Sequence, residues 1–346
     1  MSAPRVLVAG DFAWEMYEPA LCAALREAGA EVIELPVRRY FGPGDLLRRA
    51  QSKLVSGPGP LLANAALVAS CARHRPDLVL AWRTPWLQPR AIQLARKAGA
   101  GKVALYCNDD PFGPDRDLRI WRRWRRSVPF ADLCLAYRSV NLAELTAAGA
   151  RAVALWRSAF IPALHRPLEP TAAERARFGC EVIFVGHCEA DGRLDLVDQL
   201  LRSGLTVKLF GTGWEVHARG RMWEKLLPIE PLRGHDYPRA LSAAKAALVL
   251  LSGRNRDGYT RRCFEIPACG ALMLAPGTPE LRGLFRNGEE ALFWSDAAEL
   301  IAQARRAASD QPLRARVAAA GRARVWRDGH DIVSRARELL RLCGLG

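Results

Sequence analysis

The sequence predicts an α/β protein made of two Rossmann-like domains that face a central cleft. Short apolar runs alternate with helix-like stretches along most of the 346 residues, which is the rhythm of parallel strands joined by crossover helices. The runs are rich in Val, Leu, Ala and Ile without alternation, as expected for parallel strands buried on both faces. A chain of this length exceeds one ordinary core and therefore favours two domains.

The first half repeats a strand and helix pattern. A strand at 5–10, a helix at 18–30 and a strand at 31–37 fill about thirty residues, the spacing of one parallel crossover unit. Further strand-like runs lie at 77–82, 102–107 and 132–137, with helix-like stretches at 89–100 and 140–150. The glycines and prolines of 41–49 and 56–60 predict a mobile loop.

The second half restarts the same rhythm after a proline-rich connector at 158–170. Its strand-like runs lie at 181–186, 206–211, 246–251 and 271–275, and its helix-like stretches lie at 192–203, 237–245 and 260–270. We therefore predict an N-terminal domain over 1–165, a C-terminal domain over 171–328, and a C-terminal helix over 329–346 that packs back toward the N-terminal domain. Ligands of such sheets bind beyond the carboxyl ends of the strands.

The composition is that of a folded globular protein with a basic surface. Half of the residues are apolar, about a quarter are charged, and the formal net charge is +15, which favours anionic partners. The nine cysteines are odd in number, form no CxxC pair and mostly lie in apolar runs. They indicate reduced core residues of a cytoplasmic protein rather than a disulfide framework or a zinc site. The chain start lacks a signal-peptide pattern, and no run of about 18 apolar residues predicts a membrane span.

Residues 254–270, RNRDGYTRRCFEIPACG, combine four arginines with an Asp and a Glu. Because an unpaired buried charge is costly, an anionic ligand is the expected partner. The segment runs into a helix whose first N–H groups can hold phosphate oxygens. Arg261 and Glu265 are four residues apart, so an ordinary salt bridge explains this pair equally well. Pro267 interrupts the helix.

This segment, extended through ALMLAPGTPELRGLF and NGEEALFWSDAAEL, resembles the donor-site signature of the CgeB-like glycosyltransferases, relatives of the family 4 group with the GT-B fold. The similarity covers most of 181–335 and is loose in the first half. It implies a glycosyltransferase of the hexosyl or N-acetylhexosaminyl type. The expected donor is a nucleotide-diphosphate sugar, foremost a UDP-sugar, which is a substrate, so no cofactor is implied.

The resemblance also assigns residues to the donor. In that group two acidic residues hold the nucleotide-sugar, and Asp257 and Glu265 have the matching spacing, with Asp257 in place of the usual Glu. Glu265 corresponds to the ribose-binding carboxylate. His187 stands where an arginine is usual. The role of balancing the diphosphate charge is therefore assigned to Arg193 and Arg261, although Arg193 also fits a solvated helix position. The implied donor site comprises Gly186, His187, Arg193, Gly213, His235, Tyr237, Asp257, Gly258, Tyr259, Thr260, Arg261 and Glu265.

Asn108, Asp109 and Asp110 follow the strand-like run 102–107, so we expect them at the cleft. The CgeB-like chains resemble this one at NDDPF, and that resemblance implies that these three are the candidate catalytic residues. Turn capping is one alternative. A metal site is another, but two adjacent carboxylates point apart in extended chain and no further ligand cluster is near, so no metal is predicted. The resemblance implies transfer with retention, in which the leaving phosphate takes the acceptor proton; an inverting reaction would use Asp109 or Asp110 as the base.

The stretch RIWRRWRRSVPF at 119–130 places Trp121 and Trp124 among arginines. It fits a surface for anionic lipid or an acidic carrier protein, a platform for single-stranded nucleic acid, or a helix with its tryptophans in the core. The acceptor is not identified; an anionic molecule or one carried by an acidic protein suits the charge. We expect a cytoplasmic protein with peripheral contact at the inner membrane surface. The alternative function is a non-catalytic GT-B-like protein whose basic face binds an acidic protein, a lipid or, less favoured, nucleic acid.

Overall fold

A computed structural model describes residues 3–42 and 44–346. The chain forms two compact units. The first comprises residues up to 157 together with 254–256 and 332–346, and the second comprises 158–253 and 257–331. The connector predicted at 158–170 thus lies in the second unit.

The first unit contains one parallel sheet. Its strands are β1 (Arg5–Gly10), β2 (Glu31–Pro36), β3 (Leu78–Trp82), β4 (Lys102–Cys107), β5 (Leu133–Ala136) and β6 (Val153–Leu155). Its helices before the second unit are α1 (Glu18–Glu27), α2 (Asp45–Leu54), α3 (Pro58–His74), α4 (Pro89–Lys97), α5 (Arg119–Ser127) and α6 (Val140–Ala147). The strand order β2-β1-β3-β4-β5-β6 reverses direction between β1 and β3, and ligands of open α/β sheets bind where the order reverses.

The second unit repeats this architecture. Its strands are β7 (Cys180–Val185), β8 (Val207–Phe210), β9 (Ala244–Leu248), β10 (Met273–Pro276) and β11 (Leu292–Trp294). Its helices are α7 (Ala172–Phe178), α8 (Arg193–Arg202), α9 (Asp236–Ala243), α10 (Arg262–Ala268), α11 (Pro279–Leu284), α12 (Ala297–Ser309) and α13 (Gln311–Arg327). All pairs are parallel in the order β11-β10-β9-β7-β8, which reverses between β7 and β9.

The last helix, α14 (Ile332–Leu342), belongs to the first unit and packs on α1. The indole nitrogen of Trp156 donates a hydrogen bond of 3.0 Å to the carbonyl oxygen of Arg335 in α14. The predicted α/β class with two Rossmann-like sheets is confirmed. The short strands β6 and β11 were not predicted, because three-residue runs carry too little pattern.

Two local predictions change in the structure. The region 41–60, predicted as a mobile loop, contains α2 and the start of α3; Pro43 lies outside the described residues. Of the alternatives for 119–130, the structure has the helix with its tryptophans in the core, because Trp121 and Trp124 are buried in the core of the first unit. All nine cysteines are buried thiols. Among the described residues, no single helix is long and apolar enough to cross a membrane. The pair α2 and α3 reaches that length and apolarity only when the two helices are taken together, and they are bent by 72° relative to each other.

The ends of β7 and β8 approach so closely that one position requires glycine. Gly211, just after β8, has a φ of +142°, and a Cβ there would lie 1.9 Å from the carbonyl oxygen of Gly186, just after β7. Backbone cannot yield as a flexible side chain does. The two loops that follow β7 and β8 are therefore locked together.

We expect Gly211→Ala to lower the free energy of unfolding by at least about 2 kcal/mol, because it adds both a clash and a left-handed backbone penalty. Gly192→Ala is the matched control, since nothing lies within 4 Å of a Cβ at Gly192. Urea denaturation of both variants measures the difference. Equal stabilities would mean that the two loops are not locked at Gly211.

Candidate functional site

The switch point of the second sheet, between β7 and β9, is organised by one buried arginine. Arg193 is only 6% exposed. Its Nη2 donates to the carbonyl oxygen of Leu251 after β9 at 3.0 Å, and its Nη1 donates to that of His187 after β7 at 3.3 Å. Its Nε donates to Asp191 Oδ1 at 2.8 Å. Arg193 is therefore not a solvated helix residue, and its contacts favour holding the two loops in place over contacting a diphosphate directly.

His187 and Gly213 meet at the same edge of the sheet. His187 is exposed, and its Nδ1 lies 2.9 Å from the hydroxyl of Thr212. A Cβ at Gly213, whose φ is +83°, would lie 2.7 Å from the His187 ring. The half-buried Gly213 thus lies in contact with the exposed His187, which directly follows Gly186.

Glu265 of α10 is the most enclosed acidic group of the predicted donor site. It is 4% exposed and accepts a hydrogen bond of 2.9 Å at Oε2 from the hydroxyl of Tyr237 in α9. Arg261 Nε lies 2.6 Å from Oε1, yet Oε1 accepts no hydrogen bond of good geometry among the described residues. The salt bridge that the spacing allowed is present, and one buried carboxylate oxygen keeps acceptor capacity.

The charge state of this cluster follows from its neighbours. Burial is the largest single influence and acts to raise the pKa of the Glu265 carboxyl, but the neighbouring positive charges, Arg261 foremost, and the Tyr237 hydrogen bond together leave the pKa below its ordinary value. Burial lowers the pKa of His165 against the attraction of Glu265. His165 Nδ1 accepts the Ile161 N–H at 2.8 Å, which leaves the proton of the neutral ring on Nε2, 3.6 Å from Glu265 Oε1. Near pH 7 an ionised Glu265 thus faces a neutral His165.

His165 was missed by the sequence analysis. It lies in the stretch that was interpreted as a connector, where a single histidine between prolines carries no periodic signal. Its ring also contacts Tyr237 edge-on, with 5.8 Å between the ring centroids. Tyr237 is therefore a neighbour of Glu265, whereas His235 is exposed at the position before α9.

Three of the four arginines in 254–262, which the sequence led us to expect beside an anionic ligand, have carboxylate partners within the chain. Arg254 Nε lies 2.8 Å from Asp115 Oδ2, Arg256 binds Asp110 and Glu144, and Arg261 pairs with Glu265. The sequence could not reveal Asp110, Asp115 and Glu144 as partners, because each lies more than a hundred residues from the arginine that it binds.

The remaining predicted donor residues surround the start of α10. Tyr259 is fully buried, and its hydroxyl accepts the Ser158 N–H at 3.0 Å, which favours a structural role. The Gly258 carbonyl oxygen accepts a hydrogen bond from the Thr278 hydroxyl at 2.5 Å. The backbone N–H of Asp257 donates a hydrogen bond of 3.1 Å to the carbonyl oxygen of Ser252. Asp257 and Thr260 are both half-buried. Asp257 and Thr260 therefore keep partly accessible side chains near α10.

In the first unit the predicted catalytic residues differ sharply in environment. Asp110 is 3% exposed and accepts hydrogen bonds from Arg256 at 2.6 and 3.0 Å and from Asn141 at 3.0 Å. Burial is the largest single influence and acts to raise the pKa of Asp110, but the hydrogen bonds from Arg256, from the Phe112 N–H and from Asn141 together leave that pKa lowered. An enclosed carboxylate of low pKa is a poor proton acceptor, so Asp110 is better suited to holding 254–256 than to acting as a base.

Asp109 and Asn108 are less buried than Asp110. Asp109 is about a quarter exposed, at 28%, and forms an ion pair with Arg83, which follows β3. The side-chain oxygen of Asn108 is buried and has no hydrogen-bond partner among the described residues. The backbone carbonyl oxygen of Asn108 accepts a hydrogen bond of 3.0 Å from Nη2 of Arg138. Arg138, 2% exposed just after β5, was missed by the sequence analysis; the signal for it was a cation directly following an apolar strand.

Over the described part of the chain, no group of three or more His, Cys, Asp or Glu side chains is arranged to hold a metal ion.

Comparison with known proteins identifies the class of fold. Sucrose-phosphate synthase from Thermosynechococcus elongatus has a TM-score of 0.69 at 15% identity, covering 98% of each chain. Anabaena HepE in complex with UDP-glucose has a TM-score of 0.66 at 15% identity, covering 98% of this chain and 99% of that one. A structure described as trehalose-6-phosphate from E. coli, bound with UDP-2-fluoro glucose, has a TM-score of 0.65 at 13% identity, covering 98% of each chain. The chain has the GT-B fold of these proteins.

The sequence of the chain is also similar to that of a known family. Residues 193–341 match the family described as "Glycosyl transferase-like". This match covers less than half of the chain but includes Arg193, Asp257 and Glu265. A search of the curated proteins found no match. Most of the second unit is thus glycosyltransferase-like in sequence as well as in fold.

We expect Asp110→Asn to destabilise the protein by about 2 kcal/mol at pH 7, since it leaves the Arg256 charge without its buried partner. Because the folded-state pKa of Asp110 is lowered, its contribution is present above the unfolded pKa, about 4, and is lost as the pH falls through the folded value. Denaturation at pH 7 and at pH 3 tests this.

The difference between wild type and Asp110→Asn should shrink at the lower pH. Asp117→Asn, at an exposed position, is the control and should have little effect at either pH. A difference that stays constant with pH would show that the charge of Asp110 does not stabilise the fold.

Proposed function

We propose that the protein is a glycosyltransferase that moves a sugar from a nucleotide-diphosphate donor, foremost a UDP-sugar, to an acceptor. The observation that carries this proposal is the Glu265 cluster: a buried, ionised carboxylate with one oxygen still able to accept, beside an arginine at the start of α10. A carboxylate of this kind suits the two hydroxyls of a ribose.

Two comparisons support the donor class. The family match spans the part of the chain that holds Arg193, Asp257 and Glu265. Two of the similar structures contain a UDP-sugar or its fluoro analogue. UDP-glucose in HepE is a property of that protein, and a hexosyl or N-acetylhexosaminyl donor for this chain is part of the proposal.

The Arg261–Glu265 pair gives a physical route for donor binding. Both side chains are largely buried, at 14% and 5% exposed, so neither can lose its partner without a new one. When the donor enters, Arg261 turns to the diphosphate and Glu265 accepts the ribose hydroxyls. Each charge thereby exchanges one partner for another, while Tyr237 keeps Oε2 in position.

The chemistry that follows needs little from the protein. In the retaining route the leaving phosphate oxygen takes the acceptor proton, and the protein neutralises the departing diphosphate and aligns the acceptor without a metal. In an inverting route Asp109 is the better base, because Asp110 is enclosed by Arg256 and Asn141.

One observation favours the second candidate, a non-catalytic protein that binds a partner through its basic face. Arg193, Arg256 and Arg261 all have carboxylate partners within the chain, which is what a self-sufficient ion network would show. Binding of the nucleotide distinguishes the two candidates.

We expect UDP and UDP-glucose to bind the wild-type protein in calorimetric titration. Glu265→Gln should weaken that binding by roughly 1 to 3 kcal/mol, because it keeps the side-chain shape but removes the charge that strengthens the ribose hydrogen bonds.

The control is Glu290→Gln. Glu290 is also a buried glutamate of the second unit, with Arg286 as its ion-pair partner at 3.0 Å. That variant should lower stability and leave UDP affinity unchanged. If Glu265→Gln only lowers the melting temperature and does not affect UDP affinity, Glu265 is a structural partner of Arg261 and the donor site lies elsewhere. If no nucleotide binds the wild type, the binding-protein candidate is favoured.

A further inference from the structure

A cavity of about 780 Å³ lies within the first unit. It is bounded by α2, by the start of α5 and by the residues that follow β1 and β3. This volume falls within the range of about 300 to 1,000 Å³ that small-molecule sites occupy. None of the donor-site residues lines it, so it is separate from the Glu265 cluster.

The walls of the cavity are mainly apolar. Phe41, Val55, Trp86 and Trp121 line it and are each no more than 6% exposed. Leu54 and Leu118 also line it, and these two side chains are about half exposed, at 51% and 50%. An apolar surface thus continues from the interior of the cavity to its mouth, which suits a ligand with a hydrocarbon body.

The charged side chains that line the cavity are mostly positive. Six cationic side chains line the cavity, while Asp11 is the single carboxylate among the described lining residues. The cations are Arg38, Arg48, Arg49, Lys53, Arg83 and Arg119. Positive charge gathered around a low-dielectric wall raises the local concentration of anions and stabilises an anionic group once bound.

The cavity also lies at the switch point of the first sheet. Asp11 follows β1 and Arg83 follows β3, the two strands between which the strand order reverses. Three non-glycine residues at or beside the cavity have left-handed backbone: Phe12, Val55 and Arg83, with φ of +56°, +47° and +48°. Such conformations cost energy and cluster at ligand sites, and Val55, being β-branched, is a strong outlier.

The helix α2, which forms one wall of the cavity, is held in place by the hydrogen bonds of Gln51. Gln51 is the one buried residue of α2 among those with described side chains. Its amide donates to the Phe41 carbonyl oxygen at 3.0 Å and its oxygen accepts the Gly59 N–H at 2.7 Å. Lys53 and Leu54, which follow Gln51 on the same helix, line the cavity.

From these observations we propose that the cavity binds an amphiphilic anion, a molecule that joins an alkyl or other apolar body to a phosphate or carboxylate group. The apolar body occupies the space between Phe41, Trp86 and Leu118, and the anionic group lies against the arginines of the rim. That this ligand is the sugar acceptor rests on the proposed function; that the cavity binds it does not.

The experiment uses three probes on the full-length protein, all below their critical micelle concentrations where that applies: octyl phosphate, octyl glucoside and inorganic phosphate. Octyl phosphate should bind in calorimetric titration. The neutral amphiphile and the free anion should each bind at least about tenfold more weakly, because each lacks one of the two recognised parts. If either binds as tightly as octyl phosphate, the proposal is overturned.

Two pairs of variants locate the binding. Arg119→Glu reverses a charge in the first turn of α5, where a glutamate favours the helix, and should weaken octyl phosphate by about tenfold or more. Arg90→Glu is the matched control in the first turn of α4, exposed and outside the cavity lining. Leu54→Asn should weaken the same probe, whereas Leu61→Asn, which is 62% exposed on α3 and outside the lining, should not. Equal effects within either pair overturn the assignment to this cavity.

Two further readouts separate the possible outcomes. If the ligand is a membrane lipid, the wild type floats with phosphatidylglycerol vesicles and Arg119→Glu does not. If the ligand diffuses freely, octyl phosphate binds and neither protein floats. UDP titrations run in parallel: octyl phosphate binding without UDP binding refutes only the proposed transferase, and UDP binding without octyl phosphate binding refutes only the cavity proposal.

Discussion

The pairing of arginines in 254–262 with buried carboxylates is the interaction on which the candidate sites depend. Arg256 is held by Asp110 in the first unit, and Arg261 by Glu265 in the second. Because a buried charge is stable only with a partner, each pair fixes the backbone around it. Asp110 thereby shapes the loop after β4, and Glu265 ties the start of α10 to Tyr237.

Sheet topology decides where these charges gather. Parallel strands bring their carboxyl ends to one edge, and the reversal of strand order leaves a crevice there. In the first sheet that crevice receives Asp11 and Arg83 beside a cationic, apolar-walled cavity. In the second it receives the loops that Arg193 joins. The two sites that we propose, a nucleotide-sugar site in the second unit and an amphiphilic-anion site in the first, both use such a crevice.

The sequence predicted most of the strands and the fold, because unbroken apolar runs with regular spacing report burial in a parallel sheet. It also placed Glu265 beside Arg261, since a four-residue separation is a local property of helices. It did not predict that Asp110 is enclosed by Arg256, because that contact joins residues far apart in the chain. It also did not predict that Arg193 is buried, since the contact with Leu251 that joins the two loops is not local. The helix α2 was hidden by its glycine and proline neighbours.

The central claim is that Arg261 and Glu265 change partners when the donor binds. Hydrogen–deuterium exchange, measured with and without saturating UDP-glucose, tests this claim most directly. The account predicts slower exchange in peptides covering 257–270 and in those covering 186–193, which Arg193 connects to the loop after β9. Peptides covering α12 should stay unchanged. Bound UDP-glucose that leaves the exchange of 257–270 unaltered would contradict the account.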